Sequence, residues 1–521
     1  MVARVGGMVP AALDAVRAAG GFPGLWKAIA HNLEKLRACL HNPSFHQACQ
    51  LETKNKAVCR ELLQSVADML AWATDIAGRC RGPLTAGKMQ MRSSIDEVAV
   101  KLDISLRDCE LLLKIGELYD EGPLDGTSTC VELQRLLAWL EMSHTEAKIL
   151  ALDGLLEALN KDEKRVVSMF GRDNVSAVVQ LLTASWPEVV RDKAATVVCH
   201  VVITGSSNAW QLLESEVAIP PLIRLAKSGS QKAVVTLHHL SSTSFNTAWV
   251  IVSHGGIGPL IDMCNCCVKT GGDSVTQSAA AGTLKNISAA PHVRQLLADH
   301  GTVGAMVGLL HCSDALPESK EHAAECLINF TSSANDDCLR RAVVSEGGLY
   351  ALLLYLGDTN WHEAGVRAIR NLVGVISTTS GDTTRMMKRL GGEQRCVPLL
   401  VRTMREVESG VSNSAREVAV QMLASLATYP PNAMKMGKDL ACVAGLVHLL
   451  DPDRYNTRYK HAIQCLLSLT STSKRCREIM TLLRTNSHLR RLSDLNVEGA
   501  TELLHRLEGG RLRSLFGIRK Q

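Results

Sequence analysis

Gly282-Thr-Leu-Lys-Asn286-Ile-Ser288 is a short phrase that returns along the chain with variations. It reappears as Cys326-Leu-Ile-Asn329-Phe-Thr331, as Ala368-Ile-Arg-Asn371-Leu-Val373 and as Thr236-Leu-His-His239-Leu-Ser241. Weaker copies are Val198-Cys-His200-Val-Val202, Leu423-Ala-Ser425-Leu-Ala427 and Leu466-Leu-Ser468-Leu-Thr470. Its polar residue stands at 200, 239, 286, 329, 371, 425 and 468, at successive spacings of 39, 47, 43, 42, 54 and 43. A period of this size marks a helical solenoid.

Outward from each phrase the same order recurs. A short helix comes first, then a glycine-bearing turn: Gly255-Gly256, Gly301, Gly347-Gly348 and Gly391-Gly392. Glycine permits the positive φ that a sharp reversal between helices needs. An apolar second helix follows, such as Met306-Val-Gly-Leu-Leu310 or Leu352-Leu-Leu-Tyr-Leu356, and a polar loop leads into the third helix, which ends in the phrase. One repeat cannot bury its own apolar faces, so neighbours must stack into a continuous core.

Composition agrees. Hydrophobic residues make up 46% of the 521, but aromatics only 4%, so the core is built from Leu, Val, Ala and Ile and the class is all-α. A net charge of +5 is mild over this length, and no basic stripe with interleaved aromatics signals nucleic acid. The 17 cysteines follow no framework spacing. No apolar h-region of signal-peptide length lies in the first residues, residue 2 is Val rather than a myristoylated Gly, and no apolar run is long enough to span a membrane. The expectation is a protein with reduced thiols, cytoplasmic, nuclear or both.

Four regions are expected. Residues 1–22, rich in Gly, Ala and Val, are read as a flexible N-terminus with one short helix at 11–19. Residues 23–128 are a helical bundle, with apolar stripes at Leu25, Ile29, Leu33, Leu36 and Leu40 and at Val58, Leu62, Val66, Met69, Leu70 and Ala73. Further helices are expected at 88–102 and 105–119. Repeats occupy 129–480. A helical cap and a basic tail close the chain at 481–521.

Three helices per repeat, a glycine turn before the second and Asn near the end of the third resemble armadillo repeats, over about 145–480. Three stretches are similar to plant armadillo proteins: Ala86–Asp103 with Asp108–Leu118 to their helical N-terminal domain, Glu146–Lys164 to their first repeat, and Leu503–Phe516 to their C-termini. The resemblance implies an N-terminal bundle followed by a right-handed armadillo superhelix. Some relatives carry a U-box ubiquitin-ligase domain between bundle and repeats. Here Cys130 follows closely on the bundle, with no apolar-Cys-Pro-Ile segment of that type.

The candidate site is the third-helix ladder. Residues four apart share a helical face, which pairs Thr196 with His200, Val235 with His239, Gly282 with Asn286 and Glu325 with Asn329. The ladder continues with Arg367 and Asn371, Gln421 and Ser425, and Gln464 and Ser468. In armadillo proteins this face lines a concave groove whose Asn side chains hold the backbone of an extended peptide, a task suited to an amide that both donates and accepts. The resemblance therefore implies a peptide groove at Asn286, Asn329, Asn371, His200, His239, Arg367 and Glu325. Armadillo nuclear-import receptors place Trp four residues before Asn, and none of the seven positions is Trp, so nuclear-signal recognition is not expected. Lys193, Lys232 and Arg367 against Glu325 predict a partner of mixed charge.

Other constellations take bland readings. Cys264-Asn-Cys266-Cys267 has one CxxC step and no second, and is read as buried thiols. Trp210 and Trp249, at equivalent first-helix positions, are read as packing. His238-His239 are neighbours pointing about 100° apart on a helix. No Walker loop, GxSxG elbow or HExxH is present. The expected function is a non-enzymatic scaffold without cofactor or metal, binding other proteins as extended peptide or helix and no nucleic acid. The alternatives are a ubiquitin-pathway component, and a peripheral tether in which Arg511, Arg513, Arg519 and Lys520 make weak membrane contact.

Overall fold

The structure, a computed structural model, describes residues 1–50, 53–81, 87–120, 128–204, 217–243, 245–265, 273–332, 337–359, 361–378, 382–405, 412–451 and 459–515. Among the described residues there are 29 α-helices, one short 3-10 turn at Pro291–Val293 and no strand. The chain forms two compact units, Met1–Val250 and Ile251–Gln521.

The first unit opens on the helix Val2–Arg17, where a flexible terminus was expected. Gly6, Gly7 and Pro10 lower its intrinsic helicity. Val5, Val9, Ala12, Leu13 and Val16 nevertheless recur at helical spacing and are buried against Pro23–His41 and Thr53–Arg79. Packing overrides propensity here. The two helices expected at 88–102 and 105–119 are one, Lys88–Asp120. Its buried face runs unbroken through Ile95, Val98, Leu102, Leu106, Cys109, Leu112 and Ile115, so Asp103-Ile-Ser105 does not interrupt it.

A short helix, Pro43–Gln50, crosses that long helix. At the crossing a Cβ built on Gly116 would lie 2.1 Å from the Ser44 carbonyl oxygen. Gly116→Ala is therefore expected to destabilise the chain by about 1–3 kcal/mol, because backbone must move to admit one methyl. Urea unfolding measures it; an unchanged midpoint would show that the crossing is slack. Beyond the bundle, Thr145–Met169, Glu188–Thr204 and Gln231–Thr243 stack in succession.

In the second unit the three-helix order is explicit. Arg294–Asp299, Thr302–His311 and Pro317–Thr331 form one repeat. Asp337–Ser345, Gly348–Asp358 and Glu363–Thr378 form the next. Asp382–Gly392, Cys396–Arg405 and Asn413–Leu426 follow, and then Pro430–Met436, Leu440–His448 and Tyr459–Thr472. The third helices pack each on the next, from Ser274–Ser288 through to Tyr459–Thr472. This is the layout of an armadillo-type α-solenoid.

The turn glycines divide into two kinds. Gly255, Gly301 and Gly347 have φ of +72°, +85° and +86°, as the reversal requires. Gly391-Gly392, expected to be such a turn, instead ends the helix Asp382–Gly392. Gly391 is needed for close approach, since a Cβ there would meet the Asn432 side chain at 2.2 Å.

The cap expected at 481–521 keeps the repeat layout too. Lys474–Leu482, Asn486–Asp494 and Ala500–Leu515 are again three helices, the last packed on Tyr459–Thr472. Its first turn uses Arg484 at φ 55° where earlier repeats use glycine. That substitution hides the repeat from a search for glycine turns.

Candidate functional site

The packing of successive third helices sets the predicted Asn positions in a row. Asn286, Asn329 and Asn371 are all half-buried, on Ser274–Ser288, Pro317–Thr331 and Glu363–Thr378. Their apolar neighbours point into the stack, with Leu284, Ile287, Phe330 and Leu372 fully buried. Each phrase therefore has a packed side and a polar side.

The amides are partly engaged already. Asn329 donates through Nδ2 to Ser288 Oγ at 3.0 Å and to the Lys285 carbonyl at 3.4 Å. Asn371 donates through Nδ2 to the Thr331 carbonyl at 3.0 Å. Both bonds cross from one repeat to the one before, so these residues tie the stack together as well as lining its face. Among the described residues nothing donates to either Oδ1, which leaves a peptide-type acceptor on each.

Charge on this face is arranged in pairs. Glu325 lies 3.3 Å from Lys285 on the preceding third helix. Arg370 lies 3.7 Å from Glu417 on the following one, while Arg367 is exposed. His322, one turn before Glu325, is held below the ordinary histidine pKa by burial and then by Lys285, against the opposing pull of Glu318, Glu325 and Glu321.

The outer members of the ladder behave differently. Ser425 and Ser468 donate their hydroxyls to carbonyls of their own helix, Gln421 O at 3.0 Å and Gln464 O at 3.3 Å. Serine at that position satisfies itself. In the first unit Lys193 pairs with Asp153 across stacked third helices, and His200 Nδ1 is 2.7 Å from Oε1 of Glu163, which follows a non-helical break at Asp162. His239 is half-buried, and burial lowers its pKa, which favours the neutral ring. Of the seven candidates, then, Asn329 and Asn371 combine exposure with an open acceptor, and Glu325 and His200 sit in inter-repeat pairs.

Two ties had no sequence signal. Buried Arg294 donates to the Ser288 and Ala289 carbonyls and to Ser332 Oγ. Buried Asn432 donates to the Met387 carbonyl at 2.7 Å and the Leu426 carbonyl at 3.3 Å. Both lie in short first helices, where a polar residue reads as surface. Trp249, expected to pack, is 54% exposed, and Trp210 lies outside the described residues.

Residue types found in hydrolases meet where the bundle joins the first repeat, in another arrangement. Asp108 accepts from the Ser143 backbone N–H at 3.1 Å and from the Ser143 hydroxyl, while His144 Nε2 is 3.4 Å from Asp108. The serine hydroxyl is directed at the carboxylate rather than at the imidazole, which differs from the Ser–His pairing of a histidine-activated nucleophile. Nearby Lys148 donates to the Leu140 carbonyl, and burial brings its pKa down to about 8 against the pull of Asp108 and Glu141. This cluster is a polar joint.

Burial also pushes the thiols of Cys326, Cys396, Cys442 and Cys476 up to about 12, which makes them poor nucleophiles. Cys264 is buried, while Cys266 and Cys267 lie outside the described residues, as do the side chains of Arg511, Arg513, Arg519 and Lys520. Among the described residues no group of His, Cys, Asp or Glu is placed to hold a metal, and no helix is long and apolar enough to cross a membrane.

Residues 3–117 match a family model described as a domain of unknown function (DUF7032). A comparison with curated proteins returns no match. Among solved structures, an engineered protein is 24% identical, covering 47% of this chain and 97% of that one, with a TM-score of 0.40. A designed armadillo repeat protein is 19% identical, covering 47% and 99%, with a TM-score of 0.37. Another designed armadillo repeat protein, in complex with the peptide (KR)4, is 20% identical, covering 47% and 99%, with a TM-score of 0.36.

Proposed function

We propose that the chain is a non-enzymatic scaffold that holds an extended or helical protein segment of mixed charge along its third-helix face. The reading rests on Asn329 and Asn371, which stand on adjacent stacked helices and each offer an open Oδ1. A backbone N–H of a bound segment is the group such an acceptor suits. The flanking Lys285, Glu325 and Arg367 carry both signs, which favours neither a strongly acidic nor a strongly basic ligand. We place this work in the cytosol or nucleus.

Short peptides selected from a random library on the immobilised full chain provide the test. Asn329→Ala with Asn371→Ala is expected to weaken a selected peptide at least about tenfold, one lost hydrogen bond of ~1 kcal/mol at each site being sufficient. The same double variant loses the inter-repeat bonds and is expected to be about 1–3 kcal/mol less stable. Peptides that bind the folded variant as tightly as the parent would remove this face from consideration. Autoubiquitination with purified E1 and E2 separates the ubiquitin-pathway alternative. Liposome flotation against a form ending at Gly510 separates the membrane tether.

A further inference from the structure

A cavity of about 580 Å³ lies in the second unit, away from the ladder, and none of the seven ladder residues lines it. It opens between the first helix Asp337–Ser345 and the first helix Asp382–Gly392 of the next repeat. Two pairs of neighbouring first helices pack together, Arg294–Asp299 on Asp337–Ser345 and Asp382–Gly392 on Pro430–Met436, whereas Pro430–Met436 and Lys474–Leu482 do not. The two helices flanking the cavity barely meet. The repeat interval is longest just here, 54 residues from Asn371 to Ser425.

The interior is apolar. Val307, Leu349, Val375 and Leu390 line it and are otherwise buried. The rim is basic: Arg341 stands on one helix, Arg385 and Arg389 on the other, all exposed. Among the described residues none of the three has an ion-pair partner, although Arg341 Nε donates to the Asp337 carbonyl at 3.3 Å. Arg389 reaches back across the opening, so that a Cβ on Gly347 would lie 3.7 Å from its Nη2. Two carboxylates share the lining. Glu393 sits beside Tyr350, whose hydroxyl is raised in pKa by burial and then by that carboxylate, and Glu346 is exposed at the turn. Three guanidiniums against two carboxylates leave the opening cationic.

We infer that this cavity binds a small amphiphilic organic anion, its apolar body between the two first helices and its acid group on Arg385 and Arg389. The volume lies in the range of small-molecule pockets, which are mostly apolar with a few convergent polar groups. Guanidinium forks suit carboxylate, sulfonate and phosphate oxygens. Helices bound it on both sides, so a compact molecule fits where a long partner helix would need an open groove.

The probes are 1-anilinonaphthalene-8-sulfonate and its uncharged counterpart N-phenyl-1-naphthylamine, titrated into the full chain. The expected result is saturable one-to-one binding of the sulfonate, weakened at least about tenfold by Arg385→Gln with Arg389→Gln, and little change for the uncharged probe. Cys338 lines the cavity and is exposed, which gives a reporter in the unmodified protein. Its alkylation by iodoacetamide, followed by peptide mass mapping, is expected to slow at least about fivefold when the sulfonate saturates, as a filled pocket excludes reagent. Dodecanoate and naphthalene-2-carboxylate then compete for the site; displacement by one of them identifies a fatty or an aromatic acid. Absence of saturable binding, unchanged Cys338 alkylation, or displacement by neither acid would overturn the proposal.

Discussion

Leu284→Ala is expected to lower stability by about 2–5 kcal/mol. Leu284 is completely buried, on a third helix whose neighbours Ala279, Ala280, Ala281 and Gly282 are small and themselves buried. That helix packs on Pro317–Thr331, where Cys326, Leu327 and Phe330 are also fully buried. Small residues bring the two backbones close, so little can relax into the space a leucine vacates. Urea unfolding measures the loss, with hydrogen exchange to localise it, because stacked repeats can open one interface at a time. A loss below ~1 kcal/mol would mean that the interface collapses around the cavity, against the tight packing described above.

Arg294→Met should cost about 2–5 kcal/mol, the second large effect. The Arg294 side chain is 6% exposed and donates to the Ser288 carbonyl at 2.8 Å, the Ala289 carbonyl at 3.1 Å and Ser332 Oγ at 3.0 Å. Two of these acceptors close the C-terminus of Ser274–Ser288, where a cation also complements the helix dipole. The third stands at the end of the next third helix, so one guanidinium fastens two repeats. Methionine keeps the apolar stem and leaves the carbonyls without their donor. Lysine, with a single point of charge, is expected to recover only part of the loss. Thermal unfolding of the two variants gives the answer, and a lysine variant as stable as the parent would show that the fork geometry is unimportant.

The phrase around Asn286 told its story unevenly. Its apolar members Leu284 and Ile287, with Phe330 and Leu372 in the copies, are core residues, as helical spacing indicates. Its polar member was recognisable as a shared position but not as a shared role. Asn329 and Asn371 each bond to the preceding repeat, whereas Ser425 and Ser468 turn back on their own helix. His200 is matched by Glu163, 37 residues earlier. Partners so far apart in the chain meet only once the third helices are stacked. The two ends of the chain depart from local pattern for a related reason: Gly6, Gly7 and Pro10 lie in a helix that packing sustains, and Arg484 adopts a turn that glycine makes in other repeats.

The sequence by itself determined what is periodic and local: the helical class, the three-helix repeat, the turn at Gly301 and Gly347, and which side of each third helix is apolar. Helix geometry fixes these through neighbours three and four residues away. Tertiary structure alone decided which polar groups are engaged between repeats, where Arg294 is directed, and that two first helices part to leave a basic-rimmed cavity. Those outcomes depend on how one repeat settles on the next, at separations near 40 residues, where local periodicity carries no information.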